Sequence, residues 1–112
     1  MHDPVDQTFS PKDPREVIPL VFDFTALGTG FNQPEFFIEH YSGIADADPS
    51  AMKASDPTMI DDTFSIDVQG GVDGADYLVT GSVMKGTQKF IISGILNVRR
   101  AVGLYSQSEI ID

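Results

Sequence analysis

Residues 63–99 (TFSIDVQGGVDGADYLVTGSVMKGTQKFIISGILNVR) decide the fold. From Thr63 to Gln69 the chain alternates, with Phe64, Ile66 and Val68 on one side and Ser65, Asp67 and Gln69 on the other. A strand with one buried face requires this period of two. Gly70-Gly71 ends the run, and Asp76 to Met84 resumes it with Tyr77, Val79, Gly81 and Val83 on one face. Lys85-Gly86-Thr87 has the composition of a tight hairpin turn. Gln88 to Arg99 is predicted to be the longest strand, with Phe90, Ile92, Gly94, Leu96 and Val98 opposed to Lys89, Ile91, Ser93, Ile95 and Asn97.

Upstream, Val17 to Phe24 (VIPLVFDF) is rich in β-branched and aromatic residues, and its early Pro19 suits an edge strand or a strand start. Ala26 to Pro34 reads as a turn. Glu35 to Ser42 (EFFIEHYS) is a further strand, apolar on both faces. Residues 44–62 hold Asp46, Asp48, Asp56, Asp61 and Asp62 among Ala, Ser and Pro, which predicts an acidic loop with at most one helical turn near Ala51 to Ser55. Residues 1–16 follow neither period and read as an extended N-terminal arm; residues 101–112 read as a C-terminal tail. Several short strands separated by turns, without an amphipathic helix, predict an all-β fold: a β-sandwich of about seven strands over residues 17–100.

The chain of 112 residues carries 17 acidic and 7 basic side chains, a net charge of −10. Residues 1–62 hold 12 acidic and 3 basic groups, so nearly all of that charge lies in the first half. Nucleic-acid affinity rests largely on cations that displace condensed counterions, so neither nucleic acid nor an anionic membrane is expected as a partner. Zero cysteines exclude disulfides, thiol nucleophiles and iron–sulfur sites. The start, MHDPVDQ, lacks the apolar core of a secretory signal, which leads to the expectation of a soluble protein made in the cytoplasm.

Catalysis is not expected. His2 and His40 are the only imidazoles, and no nucleophile elbow, P-loop or zinc-binding helix motif occurs. No cofactor and no metal ion are expected, because none of the aspartate pairs follows the calcium-loop spacing. Binding remains. Phe37, Tyr41, Ile91 and Ile95 fall on strand faces that a simple two-layer sandwich would make polar. Both tails carry apolar anchors, Val5 and Phe9 at one end and Leu104, Tyr105, Ile110 and Ile111 at the other. These ten residues are the expected assembly interface.

Asp73-Gly74-Ala75-Asp76-Tyr77-Leu78-Val79 resembles the D-x-A-x-Y-x-C run that opens the sixth strand of immunoglobulin domains, with Val79 in the cysteine position. The resemblance implies a tyrosine corner at Tyr77, its hydroxyl bonded to backbone a few residues upstream. Gly70, Gly71, Asp73 and Tyr77 are therefore expected to be structural.

Two longer stretches resemble a family of small tailed-bacteriophage structural proteins. Lys12 to Phe24 (KDPREVIPLVFDF) is similar to the family's "KDPxxVLxYxFDW" opening, and Gly70 to Thr80 (GGVDGADYLVT) to its "SGGTxGxxYxVT" segment. Phe24 stands where the family has Trp, Gln69 replaces the Ser before the glycine pair, and residues 28–57 have no counterpart. The resemblance implies an immunoglobulin-like β-sandwich of fibre–tail adaptor or head-decoration type. It further implies a virion location after assembly in the bacterial cytoplasm, other virion proteins as partners, and a homo-oligomeric arrangement in the particle. The contrasting expectation is a ligand-binding or host-adhesive domain with a carbohydrate or calcium site in the acidic loop.

Overall fold

The computed structural model describes residues 5–101, with side chains from Phe9 onward. Seven strands form a two-layer sandwich: β1 (Val5–Thr8), β2 (Ile18–Asp23), β3 (Asn32–Gly43), β4 (Thr58–Ile60), β5 (Thr63–Val68), β6 (Ala75–Lys85) and β7 (Gln88–Asn97). One sheet has the order β1-β7-β6-β3 and the other β2-β5-β4. Labelled B to G from β2 onward, the two layers have the strand orders G-F-C and B-E-D. The first strand joins the G strand in parallel, Val5 opposite Ile92 through Thr8 opposite Ile95.

The core lies where the two alternating patterns meet. In one layer Phe22 stands opposite Phe64 and Leu20 opposite Ile66; in the other Tyr77 stands opposite Leu96 and Val79 opposite Gly94. All of these large side chains are buried. Phe22 is central, with Phe64 at 5.2 Å in an edge-to-face contact and Phe36 at 6.2 Å, separations typical of aromatic pairs. The same ring explains Gly81, where an added Cβ would lie 3.0 Å from the Phe22 ring. Overpacking of that kind costs about 1–3 kcal/mol.

The all-β sandwich read from the alternation is the observed fold, and two elements depart from the reading. Residues 5–8 are a sheet strand, so the first sixteen residues are not simply an arm. The acidic stretch contains a 3₁₀ turn at Pro49–Met52, whose Met52 is buried, and the short strand β4. Asp61 and Asp62, at φ 50° and 66°, close the β4–β5 hairpin. Two successive left-handed residues suit the strand twist, and aspartate tolerates that region. The Asp62 carboxylate also accepts a hydrogen bond from the Phe31 amide at 2.9 Å. Two of the loop's acids therefore have a backbone task.

Candidate functional site

Two regions carry the residues singled out in the sequence: a corner where the chain ends are tied, and the outer face of the four-stranded sheet.

The corner begins with Lys12. Its side chain is 0% exposed, and Nζ donates to the carbonyls of Asp13 at 2.9 Å and Gly70 at 2.8 Å. Burial lowers the Lys12 pKa from its usual value, opposed by the nearby carboxylates of Glu16 and Asp13. A buried ammonium is costly unless hydrogen-bonded, and these carbonyls supply the bonds. Asp13 beside it accepts from the Arg15 amide and guanidinium and from the Ala101 amide. The Arg15 hydrogen bonds, foremost among these causes, hold its carboxyl well below the ordinary carboxylate range. Backbone bonds from Lys12 N–H to Asn97 and from Arg99 N–H to Lys12 complete the tie.

The glycine turn is built for this contact. Gly70 and Gly71 have φ of 62° and 96°, and a Cβ on Gly71 would come within 2.9 Å of Val98. Asp73 accepts a hydrogen bond from the Arg100 amide at 2.8 Å. Tyr77 is fully buried, and its hydroxyl accepts from the Val72 amide at 2.9 Å, the upstream bond that a tyrosine corner needs. The same hydroxyl donates to Asp46 at 2.7 Å, pinning the acidic loop to the sandwich. Burial, followed by the bond to Asp46, pushes the Tyr77 pKa up to about 12.

Between this loop and the glycine turn lies an open cleft of about 570 Å³, whose walls include Glu16, Asp46, Asp48, Met52 and, as a cation, Arg15. Among the described residues no group of three or more His, Cys, Asp or Glu is arranged to hold a metal ion. His40 is bound into the fold: its Nε2 lies 3.0 Å from the Ile44 carbonyl and its ring stands edge-on to Tyr77.

The outer face gathers the four expected strand residues. Register sets Phe37 opposite Thr80, Glu39 opposite Leu78 and Glu35 opposite Ser82 on β3 and β6. Across β6 and β7, Leu78 is opposite Ile95, Thr80 opposite Ser93 and Ser82 opposite Ile91. Phe37 and Tyr41 are 53% and 61% exposed, whereas Ile91 and Ile95 are half-buried. Beyond Tyr41 the register shifts, with His40 opposite Tyr77 and Ser42 opposite Asp76, so Tyr41 is an extra residue in the strand. Ser82 Oγ is buried on this face with no hydrogen-bond partner. Glu35 reaches Lys89 at 3.4 Å, but among the described residues Glu39 has no ion pair.

The terminal anchors fare differently. Phe9 packs edge-on against Phe22 at 5.4 Å, so it serves this chain's own core. The backbone of Val5 lies in β1, and the expected anchors Leu104, Tyr105, Ile110 and Ile111 lie outside the described residues. Sequence reading missed Lys12 and Asp13 as buried groups and Asp46 as a partner of Tyr77. It also missed Leu78 as a member of the outer face, whereas the alternation that singled out Phe37 already placed Glu39 beside it. Comparison with known protein families, with curated proteins and with solved structures finds no match.

Proposed function

We propose that this protein is a non-enzymatic bacteriophage virion protein, an immunoglobulin-like module held on a capsid or tail lattice by its outer sheet face and its terminal segments. The observation that carries the reading is the meeting of the two stretches that resemble the phage family. Lys12 of the first lies 58 positions from Gly70 of the second and is hydrogen-bonded to it at 2.8 Å. Two chance matches would have no reason to form one buried unit, whereas a shared structural element would. The exposed aromatics Phe37 and Tyr41 of the outer face supply the attachment surface, since exposed large apolar side chains suit a protein contact. The net charge of −10 keeps such a module soluble before its lattice is available.

Mass spectrometry of purified virions of the encoding phage tests the proposal. The protein is expected as a stoichiometric component that survives particle purification; its absence from intact particles would refute the reading.

A further inference from the structure

On β3 the exposed residues Phe37 and Glu39 lie two apart on the solvent side, and the exposed Tyr41 follows at the bulge. At a strand rise of about 3.3 Å per residue the Phe37 ring and the Glu39 carboxylate are anchored about 7 Å apart. Glu39 shares its row with Leu78 and Ile95, both half-buried, and no cation among the described residues neutralises it. β3 is also an edge strand of its sheet, with the 3₁₀ turn at Pro49–Met52 and β4 packed near it.

We propose that this face docks a basic-apolar segment of a partner protein, in which an arginine or lysine reaches Glu39 beside the Phe37 ring and flanking aliphatic side chains cover Leu78 and Ile95. The chemistry follows from charge and shape. A guanidinium meets the carboxylate in a charge-assisted hydrogen bond, and the face of the neighbouring Phe37 attracts the same cation. A second copy is the wrong occupant, because joining two like faces brings Glu39 towards its twin in a pair of chains each carrying −10. The proposal deepens the virion reading by naming the chemistry of the lattice partner, and it rests on that reading only for where the partner resides.

The test uses the full chain, labelled with nitrogen-15, and two short synthetic strand peptides, one alternating valine with arginine and the other valine with glutamate. The arginine peptide is expected to shift the amides of residues 35–41, 78–82 and 91–95. Its binding should be about tenfold weaker to Glu39→Lys and intermediate to Glu39→Gln. Both variants should melt as the parent does, since the position is exposed. Any of four results overturns the proposal: shifts confined to the acidic loop 44–62, equal binding of the glutamate peptide, Glu39→Lys binding as the parent does, or a dimer in sedimentation that Phe37→Ser abolishes. Virions lacking the protein would refute the assembly reading and leave the peptide result standing, so the two failures are distinguishable.

Discussion

The corner at Lys12 and the outer face around Glu39 contrast in how they treat charge. At the corner three charged groups have dedicated partners within the chain: Lys12 on two carbonyls, Asp13 on Arg15 and Ala101, Asp46 on the Tyr77 hydroxyl. On the outer face Glu39 has no ion pair among the described residues, and the large rings beside it stand in solvent. The buried lysine fastens residues 12 and 13 to the Gly70 turn and to the end of β7, while two aromatics and a carboxylate on the outer face stand bare; on the proposed reading this separates architecture from contact surface. Mutations should sort in the same way, with stability responding at the corner and association at the face.

The largest effect is expected at Lys12. Lys12→Ala removes two charged hydrogen bonds and leaves a void, and should lower unfolding free energy by about 3 kcal/mol in denaturant titration. A loss below about 1 kcal/mol would mean that the corner is not a structural tie. Tyr77→Phe keeps the ring but strips the Val72 amide and Asp46 of their shared partner, and should cost about 2 kcal/mol by the same measurement.

Stability against pH sharpens the contrast further. Asp13 and Asp76 both have carboxyls held below the ordinary aspartate range, Asp13 foremost by hydrogen bonds from Arg15 and Asp76 foremost by the hydrogen bond from Asn97. A carboxyl whose folded pKa is depressed stabilises the fold above its unfolded value and loses that contribution as pH falls through the folded one. Thermal melts should therefore decline as pH drops below about 4, with a shallower decline in Asp13→Asn. Tyr77 acts at the other end. Its folded pKa of about 12 lies above the ordinary tyrosine value of about 10, so its contribution is complete below about pH 10 and is lost as pH rises towards 12. Tyr77→Phe should remove that alkaline slope. The smallest effect belongs to the face, where Phe37→Ser or Tyr41→Ser should change stability by less than about 0.5 kcal/mol.

How far each region was legible in the sequence follows from the physics of each. β5, β6 and β7 were readable because one face of each is buried and the other is polar, which imprints alternation. The interior placement of Tyr77, Val79 and Leu96 followed directly. β4 was hidden because three residues are too few to show a period, and its hairpin turn is built from two aspartates that look like any solvated acid. β1 was hidden because its parallel partner is more than eighty residues away in β7, and four residues beside a proline-rich stretch carry no local mark of that pairing. Lys12 was unreadable for a similar reason. A lysine among prolines and acids reads as solvent-exposed, and only the remote Gly70 carbonyl makes its burial tolerable. The face was half legible: the apolar excess at Phe37 and Tyr41 and the placement of Glu39 beside Phe37 were visible, but gathering them with Leu78, Ile91 and Ile95 required the register.

The most direct test of the separation between tie and contact surface is to count copies per particle. Phage carrying Glu39→Lys or the double change Phe37→Ser, Tyr41→Ser would be purified and the protein quantified by mass spectrometry against a capsid standard. Particles should form with the variant protein folded but largely absent from them. Incorporation at the parental level would contradict the account and leave the outer face without a role in attachment.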